Sequence, residues 1–165
     1  MNYIVDTGPI VAAFRHRRDK DPFTPWASNL FRTLPHPLYT CDAVLTEAAH
    51  FLRSPAPLIE AINRGLLVSR FDTQSASARL GELVTKYRDV PMDFADACLV
   101  CMSEEMRDCK VVTVDSDDFT TYRRFRREAI PLLLPGPWKG GGVDSPRNPA
   151  QTPRVIESGA QKARH

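Results

Sequence analysis

The 165-residue sequence has no apolar run approaching the roughly 18 residues that a membrane span needs, so no membrane partner is expected. Its first residues, MNYIVDTG, lack the basic flank and long apolar segment of a secretory signal, and the expected location is cytoplasmic. Histidine is scarce. Of the four, His16 lies in a charged loop, His36 precedes Pro37, His50 sits within a helical pattern and His165 is the last residue, so structural or solvated roles are expected for all. The four cysteines are too scattered for a convincing disulfide framework. Their only close pair, Cys98 and Cys101, lies in an apolar helical pattern; reduced, buried thiols are expected, with zinc a lesser alternative because no histidine or second close pair accompanies them. Strong charge of one sign is also missing: the formal net charge is +2.

What charge there is falls unevenly. Residues 136–165 carry five Lys or Arg against two acids, while the remainder carries 17 basic and 18 acidic residues, so the total is no evidence that a folded core binds nucleic acid. Composition changes at the same point. GPWKGGGVDSPRNPAQTPR is dense in Gly and Pro, has no periodic apolar face and cannot offset the entropy of ordering itself. Residues 1–135 therefore read as one domain, and residues 136–165 as a disordered Gly/Pro-rich basic tail, a solvated appendage rather than a dedicated RNA-binding arm. At 42% hydrophobic and 25% charged residues, the chain is of ordinary globular composition.

Within residues 1–135, β-type and helix-type apolar patterns alternate. YIVD at 3–6 is a short β-branched run stopped by TGP, and Pro9 suits the first turn of a following helix. Asp21 or Thr24 can cap a second helix, and strand PLYTC at 37–41 follows. Helices are expected over 43–53 and 56–63, then a strand over 66–70. A helix over 75–87 should turn Ala78, Leu80, Leu83 and Val84 inward, and one over 94–106, containing FADACLVCM, should be buried on most of its surface. Strand 110–114, a short helix over 117–124 and strand 130–134 complete the pattern. Such alternation predicts an α/β domain around a mostly parallel sheet.

Four acids occupy suggestive places on these elements. Asp6 ends the first strand and Asp115 ends KVVTV, and the carboxyl ends of strands open onto the binding crevice of an open α/β sheet. Glu47 interrupts LTEAAHFL, and Asp96 interrupts FADACLV one turn after Asp93, on the same helical face. Each alone has a plain explanation: Asp93 can cap its helix, Glu47 can meet an arginine and Asp115 can close a turn. Four together at the inner ends of separate elements require a shared cation to coexist. Hard oxygen donors without His or Cys suit Mg²⁺ or Mn²⁺. In VVTVDSDDF, Asp115 is the acid expected at the crevice, while Asp117 and Asp118 are expected to start the next short helix, where negative charge is favoured.

Taken in order, IVDTGPIVA, LTEAAHFL, PMDFADACLV and VVTVDSDDF resemble the PIN domain, and specifically the VapC-type ribonuclease toxins of toxin–antitoxin pairs. The resemblance spans residue 2 to about residue 135. It implies a PIN-like three-layer sandwich, a central mostly parallel sheet flanked by helices. It also implies a Mg²⁺- or Mn²⁺-dependent endoribonuclease that cleaves RNA phosphodiester bonds by metal-activated water, leaving a 5′-phosphate and a 3′-hydroxyl. Asp6, Glu47, Asp96 and Asp115 take the catalytic and metal-binding positions, with Asp93 a further ligand; Thr7 and Thr113 match polar residues of the same pocket. A cognate antitoxin protein and a homodimer are implied as partners.

Substrate grip is expected from RHRRDK at 15–20, placed at the rim of the Asp6 crevice, where Arg15, Arg17 and Arg18 would meet phosphates. RRFRR at 123–127 has the alternative of packing Tyr122 and Phe125 inward. Two other classes compete. A catalytically silent PIN-like RNA- or protein-binding module would need a broken acid set. A Mg²⁺-dependent phosphatase of the haloacid dehalogenase type would begin with D-x-D, whereas this chain has Asp6-Thr7-Gly8.

Overall fold

A computed structural model describes residues 1–16, 21–90 and 92–136. The first strand, β1 (Asn2–Val5), runs directly into helix α1 (Thr7–Phe14), followed by α2 (Thr24–Thr33), β2 (Leu38–Thr40), α3 (Asp42–Leu52), α4 (Ala56–Asn63) and β3 (Leu67–Ser69). Then come α5 (Thr73–Lys86), α6 (Phe94–Glu105), β4 (Cys109–Val112), α7 (Ser116–Thr121), β5 (Arg123–Arg124), β6 (Glu128–Ala129) and β7 (Leu132–Leu133). Five strands form one parallel sheet in the order β3-β2-β1-β4-β7, flanked by helices as an α/β three-layer fold. The chain steps from β1 outward to β2 and β3, then returns to lay β4 on the other side of β1. The strand order therefore reverses between β1 and β4, and a crevice opens at the carboxyl ends of strands beside such a switch. Val5 pairs with Val112 there, so the residues just beyond, Asp6 and Thr113, stand side by side.

Helix α6 supplies the middle of the core: Ala97, Cys98, Leu99, Val100 and Met102 are buried, matching the apolar length of its sequence. Each fully buried Leu or Val of this kind stabilises by roughly 1.5–3 kcal/mol. All four cysteines are free, buried thiols. Several expectations need correction. On α5, Leu80 and Leu83 are buried, but Ala78 and Val84 face solvent; the inward stripe is narrower because the helix packs chiefly on α6. Neither Asp21 nor Thr24 caps α2: the N-cap is Phe23, the Asp21 carboxylate accepts from Phe23 N–H, and the Thr24 hydroxyl donates to the Ala12 carbonyl. An antiparallel pair, β5 with β6, occupies a stretch expected to hold helix and loop, and α7 ends at Thr121. Of the expected tail, only Gly136 lies within the described residues.

Candidate active site

Asp6 is only 5% exposed, and its position follows from β1 running straight into α1. Its backbone N–H extends the ladder onto Val112 O (3.0 Å), while its side chain caps α1 by accepting from Thr7 N–H (2.6 Å). The second carboxylate oxygen accepts from the Thr113 hydroxyl at 2.7 Å. That hydroxyl in turn accepts from Asp115 N–H at 2.9 Å. A continuous hydrogen-bonded chain thus links the ends of β1 and β4. Gly8 permits this closeness: a Cβ there would collide with Val114 Cγ2.

The remaining acids arrive from helices. Glu47, on α3, accepts from the Thr7 hydroxyl at 2.9 Å, so its partner is a hydroxyl on α1 rather than an arginine. Asp93 caps α6 by accepting from Asp96 N–H at 2.8 Å, and Asp96, one turn in, accepts from the Tyr122 hydroxyl at 3.1 Å. Asp115 caps α7 by accepting from Asp118 N–H at 3.1 Å. Burial pushes the Asp6 carboxyl up to about 7; the Thr113 hydroxyl and Thr7 N–H oppose the rise, and the charges of Asp93 and Glu47 add to it. Burial likewise raises Asp96 to about 9, helped by Asp93 and Asp6. Glu47 is raised by burial and then by Asp93. Asp93 therefore lies within electrostatic reach of Asp6, Glu47 and Asp96 and disfavours charge on all three, as Glu47 does on Asp6 and Asp6 on Asp96.

As the side chains stand, no three His, Cys, Asp or Glu among the described residues are arranged to hold a metal ion. The carboxylates of Asp6, Glu47, Asp96 and Asp115 are each engaged by a hydroxyl or backbone N–H. The donor set itself fits a hard divalent cation, because it is all oxygen, partly desolvated and mutually repulsive until a positive charge is shared.

A family model of the PIN domain matches residues 3–125. The chain belongs to the PIN domain family. PIN domains are typically nucleases and generally use divalent metal ions. A search of curated proteins found no match.

Not every residue named from the sequence joins the acids of this PIN domain. Arg15 follows the last turn of α1, about 13 Å from Asp6 at roughly 1.5 Å of rise per residue, so it lies at the opposite end of the helix and not on the rim of the Asp6 crevice. Arg17 and Arg18 lie outside the described residues. The second basic cluster is largely tied down within the chain: Arg123 donates to the carbonyls ending α7, Arg124 donates to Ser103 O and Arg107 O, and Arg126 pairs with Glu82. Tyr122 is fully buried, as the inward-packing alternative requires. Its hydrogen bond to Asp96 escaped the sequence reading, since no local signal links residues 26 apart.

Proposed function

We propose that this PIN domain is a metal-dependent endoribonuclease and acts as the toxin of a type II toxin–antitoxin pair. The observation that carries the nuclease reading is the pairing of buried Asp6 with half-buried Asp96, their carboxyls raised to about 7 and about 9. Such an arrangement costs folding energy and is compensated when a cation is shared. Asp6, Glu47, Asp96 and Asp115, with Asp93 beside them, would hold Mg²⁺ or Mn²⁺, whose positive charge would activate water and stabilise the charge developing on a scissile phosphodiester. Thr113 orients Asp6 and joins it to the Asp115 backbone, Thr7 aligns Glu47 with α1, and Tyr122 holds one oxygen of Asp96. Attack by water rather than by the RNA 2′-hydroxyl leaves a 5′-phosphate and a 3′-hydroxyl. The toxin role, with its antitoxin and homodimer, is supported by the order of the four sequence segments.

The test is incubation of purified protein with structured RNA and Mg²⁺, with and without EDTA. Cleavage should require the metal, and Asp6→Asn should lower it by about 10²–10³-fold; equal cleavage by that variant would sink the proposed site. For the toxin role, expression should arrest bacterial growth and Asp6→Asn should relieve the arrest. One observation favours a second reading, a PIN module that binds without cutting: among the described residues, no three carboxylates are arranged to hold a metal ion as they stand. RNA binding without metal-dependent cleavage would establish it.

A further inference from the structure

A groove of about 1000 Å³ lies at the far end of the seam between α1 and α3 from the acids. Phe14 and Arg15, at the end of α1, line it together with His50 and Phe51 of α3 and Arg53, the C-cap of that helix. Asp6 and Glu47 stand on the same two helices. At roughly 1.5 Å of rise per residue, Arg15 lies about 13 Å from Asp6 and Arg53 about 9 Å from Glu47. A single strand a few nucleotides long bridges that interval.

Two features mark the groove as more than a packing seam. Among the described residues, neither the Arg15 nor the Arg53 guanidinium has a side-chain hydrogen bond or ion pair. The helix-ending carbonyls do not require them: Arg15 N–H already donates to Val11 O at 2.9 Å, and Arg53 N–H to His50 O at 3.1 Å. Arg53 also holds a left-handed backbone, φ 57°, where glycine is the favoured residue. An arginine thus occupies a position that disfavours its backbone. The two helix C-termini carry roughly half a negative charge each, which the two full guanidinium charges outweigh.

We propose that this groove binds the backbone of single-stranded RNA a few nucleotides from the scissile phosphate. Arg15 and Arg53 take phosphates, and the half-buried Phe51 offers its ring to a base. Cations interleaved with phenyl rings match alternating phosphates and bases; an acidic peptide would use the arginines but leave Phe14 and Phe51 without a role. The distance from the acids matters only if they cut RNA, so that part rests on the nuclease reading, whereas binding does not.

Affinity for labelled single-stranded RNAs of increasing length is measured in EDTA, for the wild-type chain and the double variant Arg15→Gln/Arg53→Asn. Asparagine tolerates the left-handed backbone. The advantage of wild type for the longer RNA should shrink about tenfold in the variant. The dependence of log K on log salt should flatten by about 1.4, at roughly 0.7 per phosphate contact on a single strand. Photocrosslinking of bromouridine RNA to the wild-type protein should mark the peptide containing His50 and Phe51, whatever the variant's folding. Unchanged affinity and salt slope, or no crosslink there, would overturn the proposal; so would loss of oligoglutamate binding in the variant with RNA binding intact. RNA bound in the groove without metal-dependent cleavage leaves the subsite standing and removes the nuclease reading instead.

Discussion

Thr113 has no exposed surface and touches the site at two points, donating to Asp6 and accepting from Asp115 N–H. Its hydroxyl is one of the few influences holding the Asp6 carboxyl down against burial. In Thr113→Val, similar in shape but lacking the hydroxyl, the Asp6 carboxyl should rise further. RNA cleavage should fall about 10–100-fold, as for loss of a group that orients a metal ligand. A pH–rate profile and a Mg²⁺ titration check this: the acid limb should move to higher pH and half-saturation to higher metal. The three aspartates of DSDD also resolve at this scale. Asp117 and Asp118 lie in the first turn of α7 as expected, but the cap is Asp115 itself, so its carboxylate is engaged by the helix while its backbone N–H is tied through the Thr113 hydroxyl to Asp6. The sequence led us to expect an acid at the end of the strand; the backbone ends β4 at Val112 and places that acid three residues on, as the cap of α7.

Among the elements, the β5–β6 hairpin was least visible in the sequence. Its turn holds Phe125 and Arg126 at φ 47° and 69° and contains none of the Asn or Gly residues that announce a tight turn. Glu104 of α6 holds it in place: Oε1 accepts from Phe125 N–H at 2.7 Å and from Arg79 Nη2 at 2.8 Å, while Oε2 accepts from Arg79 Nε at 3.0 Å. Arg126 adds an exposed pairing to Glu82, of smaller weight because water screens it. Glu104→Ala should cost about 1–3 kcal/mol, read as a lower urea midpoint, because the Arg79 fork and the Phe125 N–H both lose their acceptor. Gly8 acts between elements in the same sense. Gly8→Ala should push α1 off the end of β4 and lower cleavage by stretching the Asp6–Thr113 bond, visible in RNA cleavage rates and thermal melting.

For the whole molecule, buried Asp6 and half-buried Asp96 couple stability to pH. Asp6 and Asp96 have their carboxyls raised from the ordinary 3.8 to about 7 and about 9. Well below pH 3.8 both are protonated, folded or unfolded, and contribute no penalty. As pH rises from there, the unfolded chain loses its protons first, so the metal-free protein becomes less stable until the folded carboxyls also ionise. The loss should be on the order of a few kcal/mol. Melting curves in EDTA should therefore show a falling midpoint from mildly acidic to alkaline pH. Added Mn²⁺ should restore more at the alkaline end, where the cation need not displace protons. A midpoint that rises with pH in EDTA would contradict the burial of these acids as a source of cost.

The sequence by itself determined the alternation of strands and helices, the parallel sheet and the placement of Asp6 just beyond a strand, because periodicity and capping are local properties. The family's four segments were legible for the same reason. Tertiary structure decided what depends on chain returns: β4 beside β1, which puts Thr113 against Asp6, and Tyr122 against Asp96. It also separated Arg15 from the acids by the full length of α1, although only nine positions divide Arg15 from Asp6 in the chain. A helix converts nearness in sequence into distance along an axis, while a sheet brings distant residues into contact, and neither conversion is written in any short stretch of residues.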